Sequence, residues 1–136
     1  MWREKDIVRA FKKGDTIIGE GDPGREMFII QSGSVDVFKG EGEGRIHLAT
    51  LQRGDFFGEM SILENVRRSA TVIAREETSL LVLNAGNFLV KIRKDPTFAF
   101  SLMQRMSNRI RVLNEKLSAQ KDAESAKTVE MAEYLK

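Results

Sequence analysis

The sequence predicts a mainly β domain that gives way to C-terminal helices, and three observations carry that expectation. Ten of the eleven glycines fall between Gly14 and Gly58, the last is Gly86, and none follows. Glycine supplies turns and weakens helices, so a turn-rich first half should precede a helical second half. Within the first half, short apolar runs recur about every ten residues, the spacing of a small antiparallel barrel or sandwich. After Pro96, no glycine or proline occurs as far as Lys136.

The elements follow in order. Thr16–Ile18 is a first strand, ended by the turn-rich Gly19-Glu20-Gly21-Asp22-Pro23-Gly24. Met27–Ile30 and the alternating Val35–Phe38 are two more, joined through Ser32-Gly33. A hairpin of alternating glycine and glutamate, Gly40–Gly44, leads into Ile46–Ala49, and Phe56-Phe57 follows Arg53-Gly54-Asp55. Ser69–Ala74 and Ser79–Leu83 complete the strands. Phe56, Phe57 and Leu48 are read as core, and His47 as an ordinary strand residue. Asn84-Ala85 opens a short helix through Ile92, and Asp95-Pro96 reads as an N-cap with proline at the first helical position.

The final helix would be roughly 60 Å long at full length. That is more than a domain of this size can cover, so part must project, pair or fray. Met103, Ile110 and Leu117 fall on one heptad seam position, Met106 and Leu113 on the other. Gln120, Glu124 and Lys127 break the seam before Met131 and Tyr134 restore it. Packing on the chain's own core and pairing with a second copy both fit so short a seam.

Composition bounds the function. One domain is expected from 136 residues, and 41% apolar with 31% charged residues is ordinary for a soluble chain. With 22 basic and 20 acidic residues the net charge is +2, which excludes a strongly polyanion-seeking protein. Cysteine is absent and His47 is the single histidine, so thiolate and multi-histidine metal sites are excluded. No apolar run approaches the length that spans a bilayer and residues 1–20 lack a signal-peptide core, so a cytoplasmic location without a membrane segment is expected. No metal, cofactor or catalytic residue is expected.

The informative stretch runs from Phe57 to Thr71. Gly58 lets the backbone turn sharply and approach a ligand. Glu59–Leu63 can form one helical turn whose first N–H groups suit a phosphate. Arg68 offers a planar fork of donors to the same group, Ser69 a hydroxyl, and Ala70 room. An ionised Glu59 only accepts hydrogen bonds, as a ribose 2′-hydroxyl would require, so the set favours a sugar phosphate over inorganic phosphate. On spacing alone, Glu59 and Arg68 also fit a surface ion pair.

Gly58-Glu59-x-Ser61-Ile62, five residues, then Arg68-Ser69-Ala70-x-Val72 resembles the phosphate-binding cassette of cyclic nucleotide-binding domains. This is the family of catabolite activator proteins, kinase A regulatory subunits and cyclic nucleotide-gated channels. A second signature of that family also matches, Ile17-Ile18-x-x-Gly21-Asp22-x-Gly24-x-x-Met27-Phe28-Ile29-Ile30-x-x-Gly33. The resemblance covers roughly residues 10–118. The resemblance implies a double-stranded β-helix, a jelly-roll-like β-roll with the cassette between two strands, followed by B and C helices. The β-roll with its short B helix would occupy 1–95, and the long C-terminal helix 96–136, frayed beyond about 120.

The resemblance also implies the site. Glu59 would accept from the ribose 2′-OH and Arg68 would pair with the cyclic phosphate. Gly58, Met60, Ser61 and Ala70 would give backbone or close contacts, and Ser69 a hydroxyl to phosphate or purine. Arg109 and Asn114, beside Leu113, fall at the positions that cap the base. Gly21, Gly24 and Gly33 would be turn formers, with Asp22 capping its loop. A hydroxyl after the arginine occurs in both cAMP- and cGMP-binding relatives, but serine, as at Ser69, resembles bacterial cAMP receptors where cGMP-dependent kinases carry threonine, so the resemblance leans towards cAMP over cGMP. The function implied is a sensor that couples cyclic nucleotide binding to docking of the C helix, or to a homodimer through it. Two departures stand out: little precedes Phe11 beyond a helical fragment in Trp2–Val8, and no DNA-binding, kinase or channel domain follows. The alternative is a dimerisation or nucleic-acid-associated module with a vestigial cassette, or a regulatory part of a larger transcription factor, channel or kinase. Its basic run would be Arg105, Arg109, Arg111, Lys116 and Lys121.

Overall fold

A computed structural model describes residues 7–134, which divide into two compact units between Arg93 and Lys94. In the first unit, β1 (Ile7–Phe11), β2 (Thr16–Ile18), β3 (Glu26–Ser32), β4 (Ser34–Lys39), β5 (Ile46–Gln52) and β6 (Phe56–Phe57) lead to a short helix, α1 (Glu59–Leu63). Then come β7 (Thr71–Ala74), β8 (Thr78–Asn84) and α2 (Ala85–Lys94). The strands form two antiparallel sheets, in the orders β1-β8-β3-β6 and β2-β7-β4-β5. This is the mainly β, jelly-roll-like architecture with C-terminal helices.

Position in the sheet explains the sequence patterns. β8 lies between β1 and β3, and its Leu80, Leu81, Val82 and Leu83 are all buried. Phe28, Ile30, Val35, Phe57, Val72, Leu80 and Val82 form one core cluster, in which Phe28 and Phe57 stack at 5.0 Å between ring centres. Burying a side chain of this size is worth about 1.5–3 kcal/mol in transfer free energy. Phe28 and Phe57 pair across β3 and β6, which anchors the strand entering α1.

Three expectations need correction. Ile7 and Val8 belong to β1, paired with β8, not to a helix; residues 1–6, with the rest of the Trp2–Val8 fragment, lie outside the described residues. Ser69 and Ala70 precede β7 rather than belonging to it. Leu48 is 46% exposed, because β5 is an edge strand whose first three residues face solvent.

His47 sits in β5 with Nε2 2.9 Å from Asp36 Oδ1, which also accepts from Thr50 Oγ1 at 2.6 Å. Burial acts to raise the Asp36 pKa, but the hydrogen bonds from Thr50 and His47 and the charges of His47 and Arg75 outweigh it and hold the carboxyl below its ordinary value. A depressed carboxyl pKa stabilises the fold above the unfolded-state value near 3.9, and that contribution is lost as pH falls through the folded value. Asp36→Asn should therefore lower the urea midpoint at pH 6 and differ less from wild type at pH 3.5. An equal difference at both pH values would show that Asp36 titrates alike in both states.

In the second unit, α3 runs from Pro96 to Tyr134 without a break. Asp95 caps it, its Oδ1 accepting the Phe98 N–H at 3.1 Å. Of the seam residues, Met103, Ile110, Leu113 and Leu117 are exposed and Met106 is half-buried. The side chain of Tyr134 lies outside the described residues. Among the described residues, no helix is long and apolar enough to cross a membrane.

Candidate anion-binding site

The connection from β6 to β7 is built around one glycine and one arginine. Gly58 adopts φ 83° and ψ 3°, a left-handed conformation that L side chains resist, and turns the chain into α1. A Cβ there would lie 2.9 Å from the Glu26 carbonyl oxygen and 3.0 Å from Arg68 Nη1. The turn and the close approach therefore both require glycine.

Arg68 is only 7% exposed. Its Nη1 donates to the Glu26 carbonyl at 2.8 Å, the Ser61 hydroxyl at 3.1 Å and the Gly58 carbonyl at 3.4 Å. Ser61, itself buried, donates on to the Val66 carbonyl at 3.2 Å. The Arg68 backbone is held as well: its N–H donates to the Asp22 carbonyl at 2.9 Å, and its carbonyl accepts from the Gly21 N–H at 2.8 Å. The loop between β2 and β3 is thus joined to the cassette arginine through main-chain groups.

The electrostatics follow from this burial. Desolvation pushes the Arg68 pKa below the usual arginine value, and the nearby Glu26 charge only partly offsets it. A guanidinium still stays charged at any physiological pH. Its hydrogen-bond acceptors are neutral oxygens, and among the described residues Nε and Nη2 have no hydrogen-bond partner. A buried cation with two unused donor nitrogens is suited to a bidentate oxyanion. Gly24 lies close to this guanidinium, where a Cβ would overlap Nε, Cζ and Nη2. Read from sequence as a turn former, Gly24 is needed here for space.

The other expected cassette residues lie on α1 and on the segment that leads from it to β7. Glu59 is the partly exposed first residue of α1, next to Gly58. Met60 is exposed, with Sδ 3.8 Å from Ser69 Oγ. Ala70 is buried just before β7. The structure brings Gly58, Ser61 and Arg68 into direct contact, and links Met60 to Ser69. Arg109 and Asn114 lie on α3 in the second unit, Arg109 half-buried and Asn114 exposed. Glu26 and Lys39 went unnoticed in the sequence; Glu26 serves Arg68 through a carbonyl, which no side-chain pattern reveals.

Comparison with known proteins adds four findings. The model of the cyclic nucleotide-binding domain matches residues 8–95. The Cyclic AMP receptor protein of Thermus thermophilus is 36% identical over 104 residues, 76% of this chain and 48% of that protein. The crystal structure of Thermus thermophilus Catabolite Activator Protein superposes with a TM-score of 0.75 at 32% identity, covering 88% of this chain and 57% of that one. A cGMP-dependent protein kinase of Eimeria tenella is 38% identical over 117 residues, 82% of this chain and 11% of the kinase. The chain thus spans about half, or less, of the curated relatives it matches.

Proposed function

Because this chain belongs to the cyclic nucleotide-binding domain family, we propose that it is a sensor that binds a cyclic nucleotide, cAMP in preference to cGMP, and performs no chemistry on it. The buried Arg68, which uses only Nη1 in side-chain hydrogen bonds among the described residues and packs closely on Gly24, is the observation that carries this reading. Arg68 would hold the cyclic phosphate, and Glu59 would accept from the ribose 2′-OH. Gly58, Met60, Ser61 and Ala70 would shape the contact surface, Ser69 would reach phosphate or purine, and Arg109 and Asn114 would cap the base. None of these groups needs to move a proton: the task is recognition. Ligand would favour one packing of α3 over another, converting occupancy into a signal.

The exposed seam of Met103, Ile110, Leu113 and Leu117 supports a second component, a homodimer formed through α3. Pairing through the seam would remove these side chains from water, and flexible methionines suit a helix with two packing arrangements. The nucleic-acid reading has less support: Arg111 of the basic run is paired with Glu115 at 3.2 Å, as on an ordinary solvated helix face.

Isothermal titration with cAMP, cGMP and 2′-deoxy-cAMP tests the proposal. cAMP should bind more tightly than cGMP, and a lack of binding by both at millimolar concentration would sink the reading. Glu59→Gln should bind cAMP a few-fold more weakly and discriminate less against the 2′-deoxy nucleotide, since an amide oxygen still accepts but carries no charge. Undiminished discrimination would remove Glu59 from the ribose.

A further inference from the structure

We propose that Glu20 and Lys39 form a latch that holds the strand-side arm of the cassette in its binding geometry, which makes Lys39 a positioning residue. The inference rests on the cyclic nucleotide reading above. Lys39 ends β4, and Glu20 lies in the loop between β2 and β3. Lys39 Nζ donates to the Ser69 carbonyl at 2.7 Å and pairs with the Glu20 carboxylate at 3.1 Å. The same carboxylate accepts the Gly40 N–H at 3.4 Å, and the Glu20 N–H donates to Thr71 Oγ1 at 3.0 Å. Residues 69 and 71 are therefore both tied to this pair, one on each side of Ala70.

The geometry gives the latch its purpose. Ser69 stands outside β7, so a lysine side chain takes the place of a strand neighbour at its carbonyl. A planar trans peptide links that carbonyl rigidly to the Ala70 N–H, which points the opposite way. Fixing the Ser69 oxygen thus orients the donor two residues after Arg68, together with the Ser69 side chain. Lys39 and Glu20 side chains are 55% and 28% exposed, so the pair adds little to global stability, and its influence is local.

Positioning and simple attraction differ in sign at Glu20. If Lys39 served only as a positive charge near the phosphate, removing the Glu20 charge would tighten binding. If the pair is a latch, removing that charge loosens Lys39 and weakens binding.

The test uses the full chain, with Lys39→Met, Lys39→Arg and Glu20→Gln. Titration with cAMP should show Lys39→Met about tenfold weaker, from loss of one charge-assisted hydrogen bond. Lys39→Arg, which keeps charge and donors, should stay within about threefold, and Glu20→Gln should weaken binding about threefold. Without ligand, the NMR order parameter of the Ala70 amide should fall in Lys39→Met while the urea midpoint is unchanged. Wild-type affinity in Lys39→Met, or tighter binding in Glu20→Gln, overturns the latch. Should the wild type bind no cyclic nucleotide, the functional reading fails by itself and the Ala70 order parameter still decides: a lower value in Lys39→Met keeps the latch, an unchanged value overturns it.

Discussion

Arg68→Ala should weaken cyclic nucleotide binding by about 2–4 kcal/mol, the cost of deleting a charge-assisted pair to a partly buried phosphate. The same change removes the Arg68 donor from the Glu26 carbonyl, the Ser61 hydroxyl and the Gly58 carbonyl, which still accepts from the Ser61 N–H at 3.3 Å, and this loss destabilises the fold. It also removes a poorly compensated buried cation, which stabilises it. These effects oppose each other, so the unfolding free energy should change less than the binding free energy. Arg68→Lys is the informative companion: it keeps the charge but cannot form a planar two-nitrogen contact. Titration calorimetry alongside urea unfolding separates the two quantities. An affinity for cAMP within twofold of wild type in Arg68→Ala would show that the phosphate sits elsewhere.

Gly58→Ala should have the second large effect, of a different kind. An alanine at φ 83° costs about 1–2 kcal/mol in backbone conformation alone. The new Cβ would also press on the Glu26 carbonyl at 2.9 Å and Arg68 Nη1 at 3.0 Å, so either β3 or the guanidinium must shift. Stability should fall by about 2–3 kcal/mol, and cAMP affinity at least tenfold even where the protein remains folded. Thermal unfolding and titration check this together. A variant with wild-type values in both would show that the entry to α1 tolerates a side chain.

Much of this was legible because it is local. Glycine placement separated the β half from the helical half, and the order of short apolar runs gave most strands their positions. The cassette was legible for the same reason: Gly58, Glu59, Ser61 and Arg68 fall within eleven residues and act as one segment. What escaped was non-local. Ile7–Phe11 carries no clean alternation, since four of its five residues are exposed, and only pairing with β8 makes it a strand. Leu48 looks like core, but whether a strand residue is covered depends on what lies beside β5. Gly24 satisfied every expectation of a turn residue, while its reason for being glycine lies 44 positions away in the guanidinium of Arg68.

The union of Arg68 with Gly21, Asp22, Gly24 and Glu26 has a consequence for the order of assembly. Each of these contacts closes a stretch of more than forty residues, and such closures are entropically costly until the intervening strands have paired. The cassette cannot reach its final geometry as an autonomous peptide, however well its own sequence matches the motif. On the proposed function, competence to hold an anion would come late in folding, and a ligand would select chains whose two sheets have already formed. On that same function, a nucleotide would act on such a chain as a lock against opening rather than as a template for closure.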